Sequence, residues 1–291
     1  MSGAQLDFFE ARPENRRFGG DWQTNRPMAA DRRFTQTRED FAAEDLRQMR
    51  MAQRYQRWIF SLLQPYLGSR IFEVGCGIGT MTQALLERAE LVFGIEPNTS
   101  CSGPLLETLG THPRFVFKPW HIEECNVDLL LSQAFDTVVC VNVLEHIEDD
   151  ATALKLFGAV VAAQAGRVVL LVPAVPAAYG PLDEALGHHR RYTRRSLADL
   201  VERAGLTPRV IRYSNFIGLL GWYYNARVSR IARHSDHQIQ IFDTMVAPWA
   251  WRVEQLIRPP LGLSLLAVAD SGSAARVPVR VMVREPAAAA G

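Results

Sequence analysis

The residues from Glu73 to Glu96 are of types, and at spacings, that could do chemistry. Glu73-Val74-Gly75-Cys76-Gly77-Ile78-Gly79-Thr80 carries glycine at every second position directly after an apolar run. Such a loop lets a ligand approach the backbone and takes up dihedrals that a side chain forbids. A dinucleotide fingerprint requires G-x-G-x-x-G, but here Thr80 stands where its last glycine belongs. A triphosphate loop requires a closing Gly-Lys-Ser/Thr, which does not follow. Glu73 would repel a phosphate and attract an ammonium or sulfonium group. The next apolar run ends in Gly94-Ile95-Glu96-Pro97, and a carboxylate there can accept both hydroxyls of a ribose. Each element alone also fits a ligand-free turn. In this order within one strand-helix-strand unit, they point to a nucleoside carrying a positive charge.

The elements that must hold these residues alternate along the chain. The apolar pattern predicts strands over Arg70–Val74, Leu91–Ile95, Arg114–Lys118, Phe135–Val141, Val168–Val172 and Thr207–Tyr213, with a closing strand over Leu263–Ala269. Helices are expected over Thr80–Ala89, Ser102–Leu109, Asp150–Ala163 and Ser196–Ala204. This predicts an α/β fold: a Rossmann-like, doubly wound, mostly parallel seven-stranded sheet with helices on both faces. Before it, the pattern turns helical over Asp40–Leu67, with Met49, Met51, Tyr55, Ile59, Leu62 and Leu63 spaced for one buried face. Residues 1–35 read as an arm or lid, Val277–Arg284 as an edge strand, and the Pro-Ala tail as disordered. The division expected is 1–67 for the helical arm, 68–214 for the ligand-binding core, 215–260 for an aromatic helical insertion, and 261–291 for the closing strand and tail.

Glu73-Val74-Gly75-Cys76-Gly77-Ile78-Gly79, Glu96, and Phe135–Cys140 followed by Val143-Leu144-Glu145-His146-Ile147 together resemble the class I S-adenosylmethionine-dependent methyltransferases over roughly residues 45–213. The resemblance implies that S-adenosylmethionine is the cofactor. It implies cofactor contacts from Glu73, Gly75, Cys76, Gly77, Gly79, Glu96 and Pro97, and from Asn142 and Val143 to the methionine part. Many relatives place an aspartate against the adenine amino group; here His121 stands in its place, so His121 and Ile122, with Trp120 alongside, are the expected adenine contacts. Tyr55 either reaches the cofactor carboxylate or packs within its helix. Gly187–Tyr192 is similar to a segment of bacterial members that accompany sugar and lipid-glycan pathways.

Methyl transfer to a hydroxyl or carbon acid needs a base as well as positioning. His146, at the carboxyl edge of the fourth strand, and His189 are the candidate catalytic groups; the other reading of His146 is a structural histidine at a helix start. His188, Arg191 and Tyr192 are candidate substrate contacts, suited to an anionic acceptor, or else a loop fixed by arginine–carboxylate pairs. Trp222 and Tyr223 belong to an aromatic cluster that is open to three readings: an extra helical layer or dimer contact, a cap over an apolar acceptor, or shallow membrane contact.

Composition narrows the partners. The 291 residues carry a net charge of +1, so broad attraction to nucleic acid is not indicated. The four cysteines form no CxxC pair, and no histidine lies at metal-ligand spacing from them, so no metal is expected. A reducing, cytoplasmic setting follows, without a signal peptide or membrane span. The expected activity is methyl transfer to an oxygen of a small-molecule, natural-product or lipid/glycan-linked acceptor. Nitrogen or carbon acceptors, a catalytically silent binding module and a nicotinamide-dependent oxidoreductase are the alternatives.

Overall fold

The computed structural model describes residues 37–230 and 235–271. The arm expected at 1–35, the edge strand at Val277–Arg284 and the terminal tail lie outside the described residues. In chain order the elements are α1 (Arg38–Arg50), α2 (Gln53–Leu63), β1 (Arg70–Val74), α3 (Thr80–Leu86), β2 (Leu91–Ile95), α4 (Thr99–Leu109), β3 (Phe115–Lys118), α5 (Val127–Ser132) and β4 (Thr137–Val141). They continue with α6 (Asp150–Ala162), β5 (Arg167–Pro173), α7 (Pro181–Leu186), α8 (Arg194–Arg203), β6 (Leu206–Ser214), α9 (Phe216–Tyr224), α10 (Asp236–Ile241), α11 (Ala247–Leu256) and β7 (Ser264–Ser271).

The seven strands form one sheet in the order β3-β2-β1-β4-β5-β7-β6. The pairs from β3 to β5 are parallel, and β7 runs antiparallel between β5 and β6. The two-residue period of a strand divides the side chains between two cores. Phe72, Val74, Val168 and Leu170 face the side covered by α6 and α8. Ile71, Val169 and Leu171 face the side that holds Trp58, Leu85 and Leu105 from α2, α3 and α4. The strand order reverses between β1 and β4, which opens a crevice at their carboxyl ends. Because β7 is antiparallel to both neighbours, β6 ends at that same edge, and the 215–260 insertion leaves the sheet there.

The helical stretch expected over Asp40–Leu67 forms two helices, α1 and α2. Met51 and Ala52 break it, and Met51 is exposed instead of buried. The break has a tertiary cause. Ala52 has no side-chain oxygen to cap α2, and the Tyr55 N–H in its first turn donates instead to Asp243 Oδ1 at 2.8 Å, from the insertion. In the insertion, α9 and α10 each run on into a π-helical turn, at Asn225–Ser229 and Phe242–Val246. Among the described residues no helix is long and apolar enough to cross a membrane.

Candidate active site

The glycine loop closes tightly at the end of β1. The Gly75 and Cys76 N–H groups both donate to Ile95 O, at 2.9 and 3.0 Å. Gly75 has φ +73°, and a Cβ there would collide with the Val143 side chain, so no larger residue fits against the loop after β4. Gly79, at φ +84°, starts α3, and a Cβ there would stand 2.7 Å from Leu105 Cδ1. Gly79 therefore serves close packing of the loop on α4. Glu96 ties the loop to β2: Oε2 accepts from Gly77 N and Oε1 from Asn98 N, each at 2.9 Å. Burial pushes its pKa up against these two bonds. Each oxygen retains a lone pair for a further donor.

A cleft of about 650 Å³ lies over this loop, within the range of roughly 300–1,000 Å³ usual for small-molecule sites. Its floor holds Glu73, Gly75, Cys76, Gly77, Glu96 and Pro97, and its sides hold His121, Ile122, Asn142 and Val143. Leu46 and Met49 of α1 and Tyr55 of α2 line it as well. Glu73 is buried and its Oε2 has no hydrogen-bond partner. Burial, with the nearby Glu96 charge, pushes its pKa up to about 7. An orphaned buried carboxylate oxygen beside an anchored second carboxylate fits a ligand with a cationic group and a ribose. Glu73 would meet the positive charge of S-adenosylmethionine, and Glu96 its ribose hydroxyls.

At the other end of the cleft the walls are polar. Asn142 leaves β4 at φ +53°, its N–H donating to Leu171 O at 2.7 Å. The turn that follows carries Glu145 and His146. Glu145 is fully buried with neither carboxylate oxygen hydrogen-bonded, and burial raises its pKa to about 7. The His146 ring is open to the cleft yet deep among protein atoms. That enclosure, followed by the charges of His188 and His189, lowers its pKa to about 3, so it is neutral at pH 7. His188 meets it edge-on, the ring centroids 4.7 Å apart. His188 Nδ1 lies 2.8 Å from Asp183 Oδ1 and Nε2 lies 3.9 Å from Glu145 Oε1. Asp183 also accepts from Arg191 Nε at 2.8 Å and from Gly180 N at 2.9 Å. Burial would raise the Asp183 pKa, but the His188 hydrogen bond and the Arg191 charge outweigh it and lower it. Arg191 further donates to Ala174 O and lies 4.6 Å under the Trp222 ring. Ligand atoms of Glu145, His146 and His188 fall within 4.8 Å of one another, close enough to hold a cation.

The cleft gathers most of the residues singled out in the sequence, but not all. Tyr55 lines it, while its hydroxyl is 3.4 Å from Asn215 Nδ2 and its ring packs edge-on against Phe242 and Trp58. His188, Arg191 and Trp222 line it too, on the side of His146. Four placements are corrected, the first being Gly79, which does not line the cleft and packs against Leu105 of α4. His189 is exposed and outside the cleft, its backbone held by its N–H donating to Glu145 O at 2.8 Å. Tyr192 is buried in the core, with its hydroxyl donating to Asp150 Oδ2 at 2.9 Å, because it bridges to the start of α6. Tyr223 follows Trp222 on α9 and so turns to the outside, where it is exposed. Glu145 and Asp183 carried no assignment from sequence. Glu145 stood inside the quoted β4 motif. No spacing linked Asp183 to His188 and Arg191.

A family model described as "Methyltransferase domain" matches residues 35–210, more than half of the chain. The chain is 31% identical over 102 residues to a ubiquinone biosynthesis O-methyltransferase of Paracidovorax citrulli, covering 34% of this chain and 41% of that protein. It is 25% identical over 181 residues to the Ralstonia nicotianae protein of the same name, covering 57% of this chain and 74% of the other. Among solved structures, it is similar at TM-score 0.54 and 14% identity to a chain of the complex between the Haloferax volcanii Trm112 methyltransferase activator and a methyltransferase. That likeness covers 81% of this chain and 98% of the other and bears on the fold. The glycine loop, the two carboxylates and the matched domain agree: this chain belongs to the methyltransferase-domain family, as an S-adenosylmethionine-dependent methyltransferase.

Proposed function

We propose that the protein transfers a methyl group to an oxygen of a small or lipid-linked acceptor bound between His146, His188, Arg191 and Trp222. The observation that carries this reading is the His146 ring lining the cleft, edge-on to His188, whose own ring is held by Asp183. Bound S-adenosylmethionine supplies an activated methyl on a sulfonium that leaves as a neutral thioether. His146 takes the proton of the acceptor hydroxyl as the oxygen becomes nucleophilic. Glu145 lies close enough to stabilise the imidazolium that results. Asp183 holds the His188 ring through Nδ1 and directs Nε2 toward Glu145. Arg191, stacked with Trp222, gives the acceptor end one fixed positive charge and one aromatic wall.

Oxygen as the acceptor atom is also supported by the two ubiquinone biosynthesis O-methyltransferases to which the chain is similar. Of the arm expected at 1–67, the described helices α1 and α2 are read, with the insertion at 215–260, as acceptor-side parts beside the cofactor core at 68–214. The four unpaired, buried cysteines suit a cytoplasmic setting.

The test is methyl transfer from labelled S-adenosylmethionine to hydroxylated aromatics with and without an apolar tail, beside matched amines. O-methylated product, lost in His146→Ala, is expected. Product on nitrogen alone, or full activity in His146→Ala, overturns the reading; no product with any acceptor returns the chain to a silent binding module. A second reading rests on the convergence of Glu145, His146 and His188 within 4.8 Å. A divalent cation there would acidify the hydroxyl in place of a base. Loss of activity on chelation, restored by added cation, would favour it.

A further inference from the structure

We propose that the outer face of the 215–260 insertion docks on a bilayer that carries anionic lipid. From Asp236 to Leu256 the insertion is one continuous helical rod made of α10, a π-helical turn and α11. Ile239, Asp243, Ala247 and Ala250 form its buried side. The opposite side of such a helix is ordinarily polar. Here Ile241, Met245, Trp249, Val253 and Ile257 follow one another at intervals of four, all exposed, Met245 and Trp249 at 68%. Leu256, beside them, is 86% exposed.

A second run joins the first. Leu220, Tyr223, Tyr224 and Val228 are exposed along α9 and the turn that continues it. Glu254 of α11 binds the two runs together, accepting from Phe216 N at 2.9 Å and Asn215 N at 3.0 Å. Large apolar side chains exposed in two adjoining runs, instead of scattered singly, mark a contact surface.

Charge selects the occupant. The insertion has five arginines against three acids and no lysine. Arg227, Arg230, Arg252 and Arg258 are exposed, and Arg252 lies over the Trp249 ring. Of the acids, Asp243 is buried and Glu254 is held by α9, which leaves Asp236 exposed. Tryptophan, tyrosine and aliphatic side chains interleaved with arginine match the chemistry of an anionic membrane interface. With no helix among the described residues able to span, the contact lies along the surface. Trp222, on the same α9, lines the cleft. Docking would therefore hold the acceptor end near lipid. That link rests on the lipid-linked reading above, whereas the docking itself rests on this surface alone.

The experiment is co-sedimentation of the full chain with vesicles of phosphatidylcholine, alone or mixed with phosphatidylglycerol. Two variants accompany the parent, Trp249→Ser with Ile257→Ser, and Arg252→Glu with Arg258→Glu. Binding is expected on the anionic vesicles and falls with salt. The apolar pair should weaken it about tenfold or more, and the charge pair by more than about fivefold for each arginine reversed. Unchanged S-adenosylhomocysteine affinity in both variants shows that the cofactor core is intact, and failure of docking leaves that affinity and the methyl-transfer assay untouched. The proposal is overturned by absence of binding to anionic vesicles, by variants that bind like the parent, or by a concentration-dependent dimer that buries this face without vesicle binding.

Discussion

Asp183 Oδ1 and His188 Nδ1 lie 2.8 Å apart, and the same oxygen accepts from Arg191 Nε at 2.8 Å. One buried carboxylate thus positions both the polar ring and the buried cation at the end of the cleft proposed to take the acceptor. Asp183→Asn should disorder both and leave Arg191 buried without its counter-charge, at a cost of about 3–5 kcal/mol. Thermal unfolding should show a large drop in Tm, and kcat should fall more than cofactor affinity. A Tm equal to the parent's would refute this coupling.

Glu96→Ala removes the acceptor for two loop N–H groups together with the proposed ribose contacts. Charge-assisted hydrogen bonds contribute about 1.5–3 kcal/mol each, so calorimetry should show S-adenosylhomocysteine affinity down by about a hundredfold. Gly75→Val should be more severe, since φ +73° and the Val143 side chain both oppose it. Unaltered affinity in the two variants would remove the cofactor site from this loop.

Cofactor affinity should depend on pH through Glu73. Burial raises its pKa from 4.5 to about 7, so below pH 7 the carboxyl is neutral and cannot meet a cationic ligand. Affinity should rise as pH passes upward through about 7, and Glu73→Gln should flatten the profile. The unliganded protein shows the reverse. A raised folded pKa gives a stability contribution present below pH 4.5 and lost as pH rises through about 7. Calorimetric titrations and Tm measured from pH 5 to 8 on parent and variant test both directions.

His146 supplies a separate pH test. Its pKa, held at about 3, keeps the ring neutral throughout the neutral range. An acid limb of kcat near pH 6.5 should therefore be absent in saturating cofactor. His146→Ala should lower kcat by about 10²–10⁴-fold with S-adenosylhomocysteine affinity kept.

Tyr192 and Trp222 separate structure from recognition. Tyr192→Phe loses a buried hydrogen bond to Asp150, worth about 1 kcal/mol, and should lower Tm with KM for the acceptor unchanged. Trp222→Ala should raise acceptor KM with little loss of Tm. The reverse pattern would return Tyr192 to the substrate site.

The cofactor half of the cleft was legible because its signals are local. Glycine at 75, 77 and 79 follows β1 directly, Glu96 ends β2, and a βα turn of that form has few conformations open to it. The acceptor half was legible only as a set of residue types. His188 and His189 are adjacent and chemically identical, and the path from α7 to the Ala174–Tyr192 bridge sends one inward and the other out. The break at Met51 was hidden for a like reason. Helical periodicity runs through it, and the carboxylate that caps α2 comes from Asp243, 188 residues from Tyr55.

Alternating apolar runs by themselves determined the strands, the α/β class and the glycine turn, since period and steric exclusion act between near neighbours. Tertiary structure alone decided that β7 lies between β5 and β6, so that the insertion leaves the sheet at the cleft edge. It also decided that Asp183, His188 and Arg191 converge, and that the apolar side of 236–256 faces outward. These outcomes depend on which elements meet after long loops close, and residue spacing carries no record of that geometry.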